Sequence, residues 1–114
     1  MNGVQKDKNT NKSFDEKLSE LEEVGFILIS KIRILIIYAM LKGCIFPSEI
    51  KRTINVGFPS ISKNLSMLKS KGFITCINPK SKKGRIYLVN EITNKFKGII
   101  TEKALEYSIP QRIV

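Results

Sequence analysis

Apolar residues recur at helical spacing near the start of the chain. Three of them share one helical face: Phe14, Leu18 and Leu21. We expect this helix to begin at Ser13, because Glu16 follows three residues later, the spacing of a capping box in which each side chain bonds the other's free backbone N–H. Gly25 should end or bend the helix. Residues 1–12 hold almost nothing apolar and are predicted to form a disordered tail.

The next segment, residues 30–42, carries a wide apolar stripe. Its members are Ile32, Leu35, Ile36, Ala39 and Met40. The density of β-branched residues would also suit a strand, but the length and the Ala-Met-Leu-Lys-Gly ending favour a helix. Gly43 suits the left-handed position after a helix end.

Two shorter helices are predicted over residues 47–71. The first starts at Pro47 and pairs Ile50 with Ile54, and residues 55–57 then form a tight turn. The second starts around residues 59–60 and ends at Gly72, with three apolar residues on one face: Ile61, Leu65 and Leu68. This spacing is typical of a helix-turn-helix.

After Gly72 the apolar period changes from helical to extended. Residues 73–78 alternate, residues 79–84 form a basic turn, and residues 85–89 form a second strand, which together predict a β-hairpin over about residues 73–89. An amphipathic helix follows over about residues 91–107 and ends before Pro110. The fold class is therefore mainly α with a small β-hairpin (α+β), in a single domain over residues 13–114.

Charge is distributed unevenly along the chain. There are 20 Lys and Arg against 10 Asp and Glu, a formal net charge of +10. Residues 1–23 have a net charge of −2, so the remainder carries +12. No acid lies between Glu49 and Glu91, and the basic residues there are Lys51, Arg52, Lys63, Lys69, Lys71, Lys80, Lys82, Lys83 and Arg85. An anionic partner is expected to bind this acid-free segment, residues 50–90.

Four blocks of sequence, in this order and spacing, resemble the winged helix-turn-helix transcriptional regulators, especially the ArsR-like and MarR-like groups and their archaeal relatives. The blocks are residues 30–36, 47–50, 61–74 and 84–87, and together they lie within about residues 30–90. Residues 62–74 closely follow the family pattern, a Ser-x-x-Leu-x-x-Leu-x-x-x-Gly-hydrophobic run. The resemblance implies a double-stranded DNA-binding regulator, with a recognition helix around residues 60–71 in the major groove and a wing at residues 79–84.

A helical wheel of the predicted recognition helix indicates which side chains would face DNA. The candidates are Ser60, Ser62, Lys63, Asn64 and Met67. Asn can bond adenine with two hydrogen bonds, Ser can bond a base edge or phosphate, Lys can reach guanine or phosphate, and Met can pack on a thymine methyl group. The alternative is that these residues form the solvated face of a surface helix.

Four cations of the predicted wing are phosphate candidates: Lys80, Lys82, Lys83 and Arg85. Such contacts add affinity and salt dependence but little sequence information. The alternative is a solvated hairpin tip whose charge prevents edge-to-edge aggregation.

Cys44 and Cys76 are far apart in sequence and form no CxxC pair, and the chain has no His. Metal-sensing ArsR-like proteins use clustered Cys, or His with acidic residues, and this sequence departs from that pattern. We therefore expect no metal site, and we expect no cofactor. The two cysteines are interpreted as small buried apolar residues, with a Cys44–Cys76 disulfide as the alternative. Without His or clustered acids no catalytic set can be assembled, so an enzyme is not expected.

The first and last helices are candidates for a homodimer interface, although either could instead complete the protein's own core. The polar N-terminus has no signal-peptide pattern, and Lys31 and Arg33 interrupt the apolar stretch 26–41, so we expect a cytoplasmic protein that does not engage a membrane. The predicted function is sequence-specific regulation of transcription. Non-specific architectural binding of DNA or RNA, and a protein-interaction module of a transcription complex, are the alternatives.

Overall fold

A computed structural model describes residues 13–113 of the chain, with side chains up to residue 107. Its helices and strands are, in chain order, α1 (Phe14–Leu28), α2 (Lys31–Leu41), α3 (Pro47–Ile54), α4 (Phe58–Ser70), β1 (Ile74–Cys76), β2 (Tyr87–Val89), α5 (Glu91–Asn94) and α6 (Lys97–Ile113). Over these residues the protein is mainly helical with a two-stranded antiparallel sheet, which confirms the α+β class. The predicted tail, residues 1–12, lies outside the described residues.

Helix α1 begins with the predicted capping box. Ser13 Oγ accepts from the Glu16 N–H at 3.2 Å, and Glu16 Oε1 accepts from the Ser13 N–H at 3.0 Å. The helix continues through Gly25 to its end at Leu28. Val24 and Ile27 on either side of the glycine are fully buried. Their packing outweighs the cost of about 1 kcal/mol that a glycine adds inside a helix.

Helix α2 is the centre of the core and contacts α1, α3, α4, α6 and β2. Five of its eleven residues are buried: Ile34, Ile36, Ile37, Ala39 and Met40. Because neighbours surround it on several sides, α2 is apolar around much of its circumference rather than along a single stripe. The helical interpretation of this segment is confirmed, and Gly43 after it has a φ of +113°.

Helices α3 and α4 are joined by residues 55–57. Asn55 ends α3 in the left-handed conformation, with φ 56° and ψ 53°, which the short polar side chain of asparagine tolerates. At the start of α3, Glu49 Oε1 accepts from the backbone N–H groups of Ile45 at 2.9 Å and Phe46 at 3.2 Å. These bonds favour the ionised carboxylate and hold the pKa of Glu49 below its ordinary value.

The hairpin pairs β1 with β2 in the register Ile74↔Val89 and Cys76↔Tyr87. Both strands are shorter than predicted, and the Asn78 side chain bonds the hairpin beyond the end of the ladder. Its Oδ1 accepts from the Ile86 N–H at 2.7 Å, and its Nδ2 donates to the Gly84 carbonyl oxygen at 3.0 Å. On the other edge of β2, the Tyr87 N–H donates to the Ile45 carbonyl oxygen at 2.9 Å. This bond attaches the hairpin to the segment before α3.

The predicted C-terminal helix is divided into α5 and α6. Thr93 of α5 is fully buried and donates from Oγ1 to the Phe73 carbonyl oxygen at 2.8 Å, while Ile100 and Ala104 of α6 are buried in the main core. The two helices pack on different partners, so the chain turns between them. The prediction that the helix ends before Pro110 is also wrong, because α6 continues to Ile113. Pro110 has no backbone N–H, so the last part of α6 lacks one i→i−4 hydrogen bond.

Among the described residues, no single helix is long and apolar enough to cross a membrane. Only when α1 and α2 are taken together do they have the length and apolar composition of a membrane-crossing segment, and the two helices are bent by 101° at the break between them.

Candidate functional site

A groove of about 500 Å³ lies between α4 and the loop of the hairpin. Its residues come from the α3 start, from α4 and from the hairpin: Phe46, Pro47, Ser48, Phe58, Ser62, Leu65, Ser66, Lys69, Lys82, Lys83, Gly84, Arg85 and Tyr87. Leu65 and Tyr87 are buried and form its floor, while the serines and cations at its sides are exposed. We refer to this feature as the hairpin groove.

Helix α4 presents its polar face to the hairpin groove because its apolar face is fully used by the core. Ile61, Leu65 and Leu68 are at most 2% exposed. Ser62 and Ser66 flank the apolar face on the side of the groove, and both are exposed. Of the other predicted DNA-facing residues, Lys63 is exposed outside the groove lining, and Ser60 and Met67 are half-buried.

The loop of the hairpin is ordered by its own hydrogen bonds. Besides the two bonds of Asn78, the Ser81 N–H donates to the Asn78 carbonyl oxygen at 3.0 Å, and Arg85 Nε donates to the Ser81 carbonyl oxygen at 2.9 Å. Gly84 adopts the left-handed conformation, with φ +64°, which a residue with a Cβ rarely does. The loop places Lys82, Lys83 and Arg85 on the groove, whereas Lys80 is exposed outside it.

The cations of the hairpin groove have no acidic neighbours on the groove lining. The two ion pairs seen among the described side chains, Lys95–Glu20 and Lys103–Glu106, belong to other parts of the surface. Glu49, the acid that borders the acid-free segment, is committed to backbone N–H groups at the start of α3. The groove is therefore a surface of one charge sign, and such a surface attracts a polyanion.

Asn64 lies on the buried side of α4, and its predicted position on the DNA-facing flank is wrong. It is only 8% exposed, its Oδ1 accepts from Arg33 Nε at 3.3 Å, and its Nδ2 donates to the Ser60 carbonyl oxygen at 2.9 Å. Arg33 is held in place in turn, because its guanidinium lies 3.8 Å from the centre of the Phe26 ring. A helical wheel of α4 alone does not include Arg33, which belongs to α2 and holds the Asn64 amide towards the core.

The Asn64→Ala variant should lose about 1–3 kcal/mol of the free energy of unfolding, because the part-buried Arg33 Nε is left without its acceptor. Urea denaturation followed by circular dichroism measures this loss. Ser66→Ala is the matched control on the exposed side of the same helix and should stay within about 0.5 kcal/mol of the original protein. Equal stability of the two variants would show that the contact between Asn64 and Arg33 contributes nothing.

The groove lining includes residues that the sequence interpretation does not select as DNA contacts, among them Phe58, Ser66 and Lys69. The sequence pattern starts this helix at residues 59–60, whereas α4 begins with Phe58 and has Pro59 as its second residue. The signal for Lys69 was present, since it follows Ser62 by seven residues, two helical turns on the same face. For Phe58 the signal depended on knowing where the helix begins.

Cys44 and Cys76 are free thiols with separate partners, so the disulfide considered from the sequence is absent. Cys44 Sγ lies 3.4 Å from Thr53 Oγ1, and the Cys76 thiol donates to Asn78 Oδ1 at 3.6 Å. Cys76 is buried and Cys44 is half-buried, in keeping with small apolar residues. Within the described residues there is also no cluster of three or more His, Cys, Asp or Glu side chains that could hold a metal ion.

Comparison of the chain with models of protein families, and with curated protein sequences, gave no match. What the protein binds is therefore inferred from the shape, the charge and the polar face of the hairpin groove.

Proposed function

We propose that the protein is a winged helix-turn-helix regulator that binds double-stranded DNA with sequence preference. In this proposal α3 and α4 form the helix-turn-helix, α4 is the recognition helix, and the β1–β2 hairpin is the wing. The observation that carries the proposal is the hairpin groove, in which an exposed polar helix face lies beside a cationic loop with no acid on its lining. A helix face reads bases and a cationic loop binds phosphates, so the two features together fit a duplex.

The polar face of α4 suits the major groove of B-DNA, which is about 12 Å wide and admits an α-helix. Ser62 and Ser66 are short enough for the helix backbone to approach base edges, and each hydroxyl can donate or accept. Lys63, exposed on the same helix, can reach guanine or phosphate. Asn64 is left out of the base contacts because its amide is bound to Arg33 and Ser60.

The wing and the groove rim supply the phosphate contacts. Lys82, Lys83 and Arg85 come from the loop, and Lys69 comes from the facing side of α4. Because these cations lie on both sides of the groove, a phosphate backbone that enters it is bound from two directions. The chain has no His and the groove lining has no Cys, Asp or Glu, so the proposal assigns the groove to binding.

The proposal includes a homodimer, formed by a second copy of this chain on the outer face of α1. Phe14, Leu18 and Leu21 are 76%, 43% and 53% exposed, and they recur on one helical face. Exposed apolar residues in a row are typical of an interaction surface. In the last helix, the other candidate for the interface, Leu105 is 41% exposed. A two-fold dimer would present two copies of α4 to the same face of a duplex.

Selection of binding sites from random duplexes tests the proposal, with each recovered site checked by titration at several salt concentrations. We expect an inverted repeat whose half-sites are about 34–36 Å apart, one helical turn. Recovery of a single half-site would overturn the dimer but keep sequence-specific binding. Binding without enrichment of any motif would overturn sequence specificity and favour the architectural alternative. Absence of binding to any duplex would overturn the whole proposal.

A further inference from the structure

Phe58 is a large apolar side chain that remains 44% exposed at the first position of α4. It lines the hairpin groove together with Ser62 and Lys69, each further along the same helix. Lys51 Nζ lies 5.7 Å from the centre of its ring, within the range of a cation–π contact. The ring is therefore held at the groove edge by α3 and is not buried in the core.

The surroundings of Phe58 indicate what kind of partner covers it. The groove lining bears cations and serines and no acid, so its partner carries negative charge. A protein partner that needs an apolar surface would find a broader one on α1, where Phe14 is 76% exposed. The ring therefore requires an apolar group that is itself part of a polyanion.

Double-stranded DNA presents such a group in its major groove. Among the base edges there, the C5 methyl group of thymine is apolar, whereas the others offer hydrogen-bond donors and acceptors. Aromatic and small apolar side chains read thymine through this methyl group. In helix-turn-helix proteins the N-terminal residues of the recognition helix contact base edges, and Phe58 is the first residue of α4.

We propose that Phe58 is a specificity-determining residue, which packs its ring against the C5 methyl group of a thymine opposite the N-terminal end of α4. The inference rests on the proposed DNA-binding function, and it specifies which base is read and which group of that base is contacted. Lys51 supports the contact by holding the ring from the side of α3, and its ammonium group carries positive charge beside the same base pair.

Deoxyuridine substitution tests the inference, because deoxyuridine lacks only the C5 methyl group of thymine. Each thymine of the selected duplex is replaced singly, and the dissociation constant is measured for the original protein, Phe58→Ala and Phe58→Leu. For the original protein, one replacement should weaken binding by about 4-fold, the effect of burying one methyl group. Phe58→Ala should bind that duplex and the thymine duplex equally well. Phe58→Leu, which keeps an apolar side chain, should retain a preference for thymine.

Ile29→Ala is the matched control, because Ile29 is 81% exposed and lies outside both the hairpin and the groove lining. It should bind as the original protein does and keep the same loss on deoxyuridine replacement. Circular dichroism and thermal unfolding verify that each variant is folded.

The results separate this inference from the function on which it rests. If the protein binds the selected duplex but every deoxyuridine duplex weakens the original protein and Phe58→Ala by the same factor, the thymine contact is wrong and DNA binding stands. The same holds if Phe58→Ala weakens all duplexes and keeps the full thymine preference, since the ring then acts only structurally. If the original protein binds no duplex, the proposed function fails and the inference fails with it.

Discussion

Replacing Lys82 and Lys83 together by alanine should weaken binding to every DNA duplex by about 30-fold at a salt concentration of about 0.15 M, if each lysine neutralises one phosphate. Both lysines are exposed on the hairpin side of the groove, and neither takes part in an ion pair among the described side chains. A lysine bound to phosphate releases condensed counterions from the duplex, and the gain in entropy is larger when the salt concentration is low. The loss of affinity should thus shrink as salt is added.

The measurement is the slope of log Kobs against log salt concentration, for the selected duplex and for an unrelated one. The slope should become less steep by about 1.8 for the double variant, about 0.9 for each lost contact. Because phosphate contacts carry little sequence information, both duplexes should be affected alike. A second double variant, Lys42→Ala with Lys97→Ala, removes the same charge from exposed lysines outside the groove and should leave the slope nearly unchanged. Equal slopes for the two double variants would remove the hairpin lysines from the interface.

Ile37→Ala should lower the free energy of unfolding by about 2–5 kcal/mol, which is the cost of a cavity at a fully buried isoleucine. Ile37 is 0% exposed in α2, the helix on which α1, α3, α4, α6 and β2 all pack. A domain of this size has a total stability of about 5–15 kcal/mol, so this loss is a large part of the whole.

Urea denaturation at one fixed protein concentration measures the effect of Ile37→Ala, because the proposed dimer would make the stability depend on concentration. Ile29→Ala is the matched control, since Ile29 is 81% exposed and the chemical change is identical. It should change the stability by no more than about 0.5 kcal/mol. Similar losses for the two variants would mean that α2 is not the centre of the core.

Together, the stability and salt-slope measurements distinguish residues that stabilise the fold from residues that bind DNA. A variant of Ile37 should alter stability and leave the salt slope of the remaining folded protein intact. The lysine variants should alter the salt slope and leave the stability intact, because Lys82 and Lys83 are exposed and lie outside the core. Asn64→Ala belongs with the core variants, although its place in the sequence of α4 resembles that of a DNA contact.

Most of the helix and strand positions could be predicted because the signals that set them are local. The two hydrogen bonds between Ser13 and Glu16 span one helical turn, and this capping box specifies the start of α1. Residues 73–78 alternate, and Ile74 and Cys76 are indeed buried while Thr75 between them is exposed. Two of the differences from the prediction have tertiary causes. Gly25 remains helical because of packing on α2, and the turn between α5 and α6 arises because Thr93 is bonded to Phe73.

The candidate site divides in the same way. Ser62, Lys82, Lys83 and Arg85 could be chosen from the sequence, because amphipathic period and charge are properties of short segments, and all four line the hairpin groove. The places of Asn64 and Phe58 could not be read from α4 alone. Asn64 is turned inward by Arg33, 31 residues earlier, and Phe58 joins the groove only because α4 begins at that residue.

The sequence by itself determined the order of the helices and strands, the mainly helical class and the concentration of positive charge in residues 50–90. These follow from periodicity, from turn residues and from composition, each of which acts over a few neighbouring positions. The tertiary structure decided which polar residues of α4 are free to bind a partner, and that the hairpin faces that helix across a groove. Those outcomes depend on side chains such as Arg33 that meet α4 only after the chain has folded.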